Sequence, residues 1–246
     1  EVLEEALARY GRPEIFNIDM LVKYAAAANR QGIGQVGVHI KIDTGMYRLG
    51  FLPQEIPNLI EVLKSLPQVY VKSAFSHLVG SDDAIHDGFT HNQIDCFTSV
   101  CAQICNGVGY SFIRHILNSS GIERFPDAQC EMVRLGIGLY GISSEKENPL
   151  RNVATLKSYV SQIKSVPAGR TVGYSRMSKV DRDTPIAIVP VGYADGLDRR
   201  LSNGKGRLLI HGHFAPIIGN ICMDMCMVDI SGIDVKEGDP VIVFGD

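Results

Sequence analysis

The stretch "GVHIKIDTGMYRLGFLPQEIPNLIEVLKSLPQVYVKSAFSHL", Gly37 to Leu78, decides the fold because it holds one complete strand–helix–strand unit. "GVHIKID" alternates as a strand, and "PQEIPNLIEVLKSLP" puts Ile56, Leu59, Ile60 and Leu63 on one helical stripe with prolines at its margins. "VYVKSAFSHL" is the next strand, so the pair reads as parallel and helix-linked. Outward from there, "GFTHNQIDCFTSVCAQICNGVG" carries Phe89, Ile94, Phe97, Val100, Cys101 and Ile104 at helical spacing and is expected to stop at Gly107. "SFIRHILNSS" and "EMVRLGIGLYG" read as further strands, and the N-terminal "EVLEEALARY" as an acidic amphipathic helix rather than a signal peptide. Each strand ends in polar or glycine-rich residues, where β/α barrels keep their chemistry.

The character changes at "GISSEKENPL", Gly141 to Leu150. Beyond it come short β-rich runs such as "PIAIVPVGYADG", "RLLIHGHFAPIIG" and "MCMVDISG", punctuated by Gly, Pro and Asp. The expectation is an α/β protein: a partial β/α (TIM-type) barrel over residues 1–144, then an all-β domain over 145–246. "VATLKSYVSQIKSV" fits a helix through Val153, Leu156, Val160 and Ile163, but its β-branched residues and setting favour one long strand.

The 246 residues are 45% hydrophobic and 21% charged, with a net charge of −3 spread without blocks. That balance leaves no footprint for nucleic acid or an acidic membrane surface, and no apolar run approaches the ~18 residues of a membrane span. A soluble protein with a small-molecule or protein partner follows. Cys96, Cys101, Cys105, Cys130, Cys222 and Cys226 form no CxxC pair and read as reduced, buried thiols, which points to the cytoplasm. His211 and His213 in "HGH" read as polar alternation on one face of a strand, and no metal is expected.

The chemistry-bearing residues gather at strand ends. Lys41 and Asp43 share a strand face, and the glycines after them let Arg48 fold back toward the same mouth. A lysine and an arginine in one cleft call for an anion, although a strand-end salt bridge and tight turn would leave the same pattern. His77 ends its strand beside Ser76, placed to orient or protonate a ligand, or else to be a hydrogen-bonded structural histidine. Asn118 and Ser119 precede a short helix, a ready phosphate site. Arg134 is followed by Gly136 and Gly138, which allow close backbone approach to a ligand.

Together "KIDTGMYRLGF", "SHLVGSDD", "LNSSG", "MVRLGIGLYG", "TVGYSRM", "PVGYADG" and "GNICMDMCMVDI", in this order, resemble the alanine racemase family. "PEIFNIDML" and "SHLVGSDD" are similar to racemases fused to a cell-wall ligase. The resemblance implies pyridoxal phosphate as cofactor, a small amino acid such as alanine as substrate, D-alanine supply for the cell wall, and a homodimer with shared sites. It implies that Arg134 faces the cofactor's ring nitrogen, where a guanidinium would keep that nitrogen unprotonated and restrain the ring as an electron sink. Ser119, Asn118 and the backbone at Gly136 and Ile137 would hold the phosphate, and His77 would lie against the ring. Arg48 would reach the substrate carboxylate, and Lys41 would be carbamylated and pair with Arg48. Tyr174 is implied as catalytic base, a role that needs nearby cations to favour a phenolate over a phenol of pKa near ~10. Met223, Asp224 and Tyr193 would line the partner subunit's site.

One departure stands against this. No Lys-Ala-x-x-Tyr-Gly motif, which carries the family's cofactor lysine, occurs in the chain, and the sequence stops at "VIVFGD". The chain therefore reads as a racemase segment, expected to be inactive alone. The other readings are a racemase of serine or another small amino acid, a decarboxylase sharing the barrel (disfavoured by Arg134), and a non-catalytic cofactor-binding or assembly module.

Overall fold

The structure is a computed structural model that describes residues 5, 11–145 and 150–245. The helix expected in "EVLEEALARY" lies outside the described residues apart from Glu5. The chain divides into two compact units, Glu1–Arg151 and Asn152–Asp246.

In the first unit, strands β1 (Glu14–Ile15), β2 (Val36–Lys41), β3 (Val69–Phe75) and β4 (Ile113–His115) alternate with helices α1 (Ile18–Arg30), α2 (Ile56–Ser65), α3 (Asp87–Val108) and α4 (Ser119–Arg124). The strands pair in parallel in the order β1-β2-β3-β4, which is chain order and so the winding of a barrel wall rather than of a doubly wound sheet. Asn17 caps α1 by accepting from Met20 N–H at 2.8 Å. Helices and the outer strand face share a core of Leu21, Ile40, Leu59, Phe97 and Ile104, each at most 1% exposed. Burying side chains of this size stabilises by about 1.5–3 kcal/mol apiece.

Two details correct the sequence reading here. Gly107 does not end α3: the helix runs on to Val108, and Gly109, at φ 81°, provides the left-handed cap. Gly107 instead lets the helices touch, since a Cβ there would lie 2.6 Å from Ile60 Cγ2. "EMVRLGIGLYG" is not a strand. Arg134 N–H makes one ladder-like bond to the Leu117 carbonyl, after which Ser119 Oγ accepts from Gly136 and Gly138 N–H (2.9 and 3.0 Å) and a single 3₁₀ turn, Ile137–Tyr140, follows.

A register shift gives the sheet its polar inner face. Val38 pairs with Val71, but His39 pairs with Ser73, so one extra residue on β3 switches which side chains turn inward. Val69, Val71 and Ala74 face the helices, while Ser73 and Phe75 join His39, Lys41 and His115 on the inner face.

The second unit is all antiparallel. Strands β5 (Leu156–Tyr159), β6 (Gln162–Val166), β7 (Thr171–Val172), β8 (Ser178–Lys179), β9 (Thr184–Val189), β10 (Arg207–Ile210), β11 (His213–Pro216), β12 (Cys226–Asp229) and β13 (Pro240–Phe244) form sheets β11-β10-β13-β5 and β12-β9-β6 and the ribbon β7-β8. The long strand expected in "VATLKSYVSQIKSV" is two strands in different sheets. Val160 N–H bonds to Asp239 and Ser161 N–H to Ile188, so the chain changes sheets at a buried Val160. Nor do the histidines of "HGH" share a strand face: His211 (φ 49°) and Gly212 (φ 78°) form the two-residue turn between β10 and β11.

Candidate active site

At the C-terminal end of the parallel strands, Arg134 reaches back across the sheet. Its Nη1 donates to the His115 carbonyl (3.0 Å) and to His115 Nδ1 (2.7 Å). Its Nη2 donates to the carbonyls of Ser76 (2.6 Å) and Ile116 (3.4 Å) and to His77 Nδ1 (3.3 Å). A guanidinium only donates, so both Nδ1 atoms are acceptors and each ring carries its proton on Nε2 when neutral. His115 Nε2–H then donates to Ser73 Oγ (3.0 Å), which is also hydrogen-bonded with His39 Nδ1 (2.6 Å). His39, Ser73, His115, Arg134 and His77 thus form one connected chain under the strand ends.

Electrostatics hold these histidines neutral. Burial first, then the charge of Arg134 and repulsion from His39 when that ring is protonated, push His115 down to about 4. Burial first, then Arg134, Arg48 and Lys41, lowers His77. Burial lowers Arg134 as well, opposed by the Glu14 carboxylate. Phe75 stacks on His115 at 5.0 Å, and both Lys41 Nζ and the Arg134 guanidinium lie near its ring, at 5.1 and 5.2 Å.

The remaining expected residues of this unit are placed as follows. Arg48 is exposed on a loop whose turn Asp43 builds, its Oδ1 accepting from the amides of Gly45, Met46 and Tyr47. The Lys41–Asp43 pairing read as one alternative is therefore not formed, and Lys41 pairs with Glu14 at 2.8 Å. Ser119 Oγ gathers two amides as described, and a Cβ on Gly138 would lie 3.0 Å from Leu135 Cδ1 and 3.4 Å from Ser119, a close but not prohibitive fit. Asn118 spends its carbonyl oxygen on Gly121 N–H (2.9 Å) and Ser81 Oγ (2.8 Å), as the cap of α4. Ile137 is exposed at the start of its 3₁₀ turn.

Sequence reasoning missed Glu14, Ser73, Gln93 and His115. His115 had a visible signal, falling three residues before Asn118 in a strand that ends at the same mouth. Gln93, 1% exposed, ties the loop after β3 in place by donating to the His77 carbonyl and Thr44 Oγ1 (both 3.1 Å) and accepting from Val79 N–H.

In the second unit, backbone bonds hold Tyr193 against the Cys222–Met223 segment, and the Asn220 side chain ties Tyr174 to the same loop. Tyr193 N–H bonds to the Cys222 carbonyl and Ala194 N–H to that of Met223, both at 3.0 Å, while Asn220 Nδ2 donates to the Tyr174 carbonyl. Gly192 makes this approach possible, because a Cβ there would lie 2.2 Å from the Met223 oxygen. The side chains of Tyr174, Tyr193 and Met223 are exposed, as is Asp224. Ser175 and Arg176 both have positive φ (60° and 53°), a strained backbone of the kind that functional loops store. An apolar groove of about 530 Å³ lined by Val172, Ile186 and Met227 runs beside Tyr174. Among the described residues, no group of three His, Cys, Asp or Glu side chains is arranged to hold a metal ion, and no helix is long and apolar enough to cross a membrane.

A chain-ordered parallel β/α unit with a half-buried arginine among neutral histidines at its strand ends, followed by an all-β unit, defines a protein of the barrel-plus-β-domain class. Within that class the chain belongs to the alanine racemase family: the model of the alanine racemase N-terminal domain matches residues 1–144 and that of the C-terminal domain residues 153–246. It is similar to the alanine racemase of Desulfovibrio desulfuricans, 38% identical over 237 residues, covering 94% of this chain and 63% of that protein. Alanine racemase 1 of Clostridium acetobutylicum is 37% identical over 254 residues, covering 99% and 64%. Among solved structures, the Bartonella henselae alanine racemase with covalently bound pyridoxal phosphate aligns with a TM-score of 0.89 at 29% identity, over 100% of this chain and 67% of that one. That of Streptomyces lavendulae gives 0.90 at 30% identity, over 99% and 65%. The chain thus spans less than two thirds of the length of these two curated relatives.

Proposed function

We propose that these residues form part of a pyridoxal-phosphate-dependent alanine racemase that interconverts L- and D-alanine in the cytoplasm for cell-wall synthesis and acts as a homodimer with shared sites. The observation that carries this is Arg134, a cation fixed by three carbonyls and two neutral imidazoles where a cofactor ring would rest.

The donor set fits the cofactor. The amides of Gly136 and Gly138 both donate to Ser119 Oγ, which leaves the Ser119 hydroxyl proton to donate to a phosphate, and among the described residues Arg134 Nε–H makes no hydrogen bond and can meet a ring nitrogen. When bound, pyridoxal phosphate supplies an electron sink that makes an amino acid's Cα–H acidic. This chain's residues do the rest. Arg134 would face the ring nitrogen and, because a guanidinium does not readily give up its proton, would leave that nitrogen unprotonated and so restrain the electron sink. His115, held as the Nε2–H tautomer because Nδ1 accepts from Arg134, donates to Ser73 and fixes the guanidinium plane. His77, beside Arg134, would lie against the bound ring, and the exposed Arg48 would bind the substrate carboxylate. Tyr174 of the partner subunit takes or returns the Cα proton on one face, with Met223, Asp224 and Tyr193 beside it.

Mixing two inactive full-length variants tests this. Arg134→Gln disables the barrel half and Tyr174→Phe the β half, so heterodimers contain one intact composite site and should regain part of the wild-type activity. Mixed dimers without activity would place Tyr174 and Arg134 in the same chain's site and defeat the shared-site reading.

A further inference from the structure

The turn between β7 and β8 carries Tyr174 on a strained backbone. Gly173 (φ 73°), Ser175 (φ 60°) and Arg176 (φ 53°) are all left-handed, and a serine or an arginine stays in that region only where its surroundings hold it. A chain of side chains does so. Asn220 Nδ2 donates to the Tyr174 carbonyl (3.0 Å), Asn203 Nδ2 to Asn220 Oδ1 (2.9 Å) and Ser178 Oγ to Asn203 Oδ1 (2.9 Å), while Ser178 Oγ accepts from Gly219 N–H (2.9 Å). The Tyr174 carbonyl only accepts, so Asn220 must turn its NH2 toward it; that forces Asn203 and then the Ser178 hydroxyl to donate, and leaves a Ser178 lone pair for the Gly219 amide. The start of the turn at Tyr174 is thereby tied to its end at Ser178 through residues outside it. Those residues are themselves anchored: Asn203 N–H donates to the Gly219 carbonyl (3.1 Å), and the buried Ser202 Oγ accepts from the N–H of buried Ile221 (3.0 Å). Gly219 lets this support approach β7, since a Cβ there would lie 2.8 Å from the Val172 carbonyl oxygen.

We propose that Asn220 is a positioning residue that, together with Asn203 and Ser178, aims the Tyr174 phenol. The Tyr174 ring is 67% exposed, so its direction is set by the backbone that carries it and not by packing around it. The phenol oxygen sits at the far end of a rigid ring, and a small rotation of the turn swings it by more than the backbone itself moves. Asn220 holds the Tyr174 carbonyl and so fixes that rotation. The consequence for proton transfer rests on the racemase reading of Tyr174, whereas the clamp on the turn does not. The residues assigned to the cofactor lie in the first unit, so loss of the clamp leaves cofactor binding intact.

The test uses the full-length protein loaded with pyridoxal phosphate and follows the initial rate of Cα hydrogen exchange in D₂O from L-alanine and from D-alanine separately. Tyr174→Phe identifies the enantiomer whose Cα hydrogen faces the phenol, as the one that stops exchanging. Asn220→Ala is expected to slow exchange from that same enantiomer by ~10²-fold, the cost of a misplacement of about 1 Å, and to leave the other enantiomer and the cofactor titration unchanged. Asn203→Asp, at an exposed position, still accepts from Ser178 but cannot donate to Asn220; it is expected to give the same one-sided loss and decides the matter if Asn220→Ala does not fold. Equal slowing of both enantiomers, or none, overturns the proposal. Independently of turnover, amide hydrogen exchange across residues 171–179 is expected to quicken in both variants, because a ribbon of two-residue strands keeps little protection once its turn is released, and unchanged exchange there overturns the clamp. A wild-type protein that holds the cofactor but exchanges neither enantiomer, or a Tyr174→Phe protein that affects both alike, refutes the racemase role of Tyr174, and the amide exchange then decides the clamp alone.

Discussion

Replacing His115 by Gln should remove a specific part of the protein's acid sensitivity. His115 is 5% exposed and has a folded value of about 4 against 6.5 for a free imidazole. With the folded value depressed, the unfolded chain binds the proton more readily. The stability that the neutral ring contributes is therefore complete above the unfolded value and is lost as pH falls toward the folded one, with no further loss below it. Linkage gives a loss of roughly 1 kcal/mol by about pH 5.5 and roughly 3 kcal/mol by about pH 4. Glutamine can still accept from Arg134 and donate to Ser73 but does not titrate, so its own cost is a constant offset. Urea unfolding followed by the helical circular dichroism signal isolates the first unit, where every α-helix among the described residues lies. His39 and His77, both lowered by burial first, slope the same way in both proteins and cancel in the difference. Equal pH dependence of wild type and His115→Gln would refute the buried neutral imidazole.

Three other outcomes follow from single contacts. Arg134→Lys keeps the charge but loses the planar fork that spans Ser76, His77 and His115, and should weaken cofactor binding in spectral titrations and lower racemisation by ~10²–10⁴-fold. Gly107→Ala should cost about 1–3 kcal/mol in urea unfolding, because the added methyl meets Ile60 at under 3 Å in a packed helix interface. Gly192→Ala drives a methyl into the Met223 carbonyl, where backbone has to move, and should destabilise the second unit by about 3 kcal/mol or more and separate Tyr193 from Met223, seen as loss of hydrogen-exchange protection at the Tyr193 and Ala194 amides.

The strand–helix–strand core was legible because its signals are local: the stripe through Ile56, Leu59, Ile60 and Leu63 and the alternation before Lys41 are settled by a few neighbouring residues. What escaped depends on pairing between distant segments. Read by alternation alone, Ser73 and Phe75 fall on the same face as Val69 and Val71, and the one-residue shift that turns them inward exists only in register with His39. Glu14 looks like a surface charge in "RPEIF" until β1 lies beside β2. Gly107 reads as the stop in sequence, whereas the left-handed cap falls at Gly109 and Gly107 makes room for Ile60, a contact between distant segments. Arg134, His77 and Ser119 could be named from their motifs, but the His115–Ser73–His39 chain behind Arg134 needed three strands in parallel.

The central claim is that the Arg134 cluster serves alanine racemisation, and following the fate of the Cα hydrogen tests it most directly. The full-length protein reconstituted with pyridoxal phosphate is incubated in D₂O with L-alanine or D-alanine, and enantiomer ratio and Cα deuterium are measured together. The account predicts that both enantiomers converge on equal amounts of L and D, each carrying deuterium at Cα, and that Arg134→Gln slows both changes in parallel. Retention of the starting enantiomer by a protein that demonstrably holds the cofactor, or release of carbon dioxide in place of inversion, would contradict it.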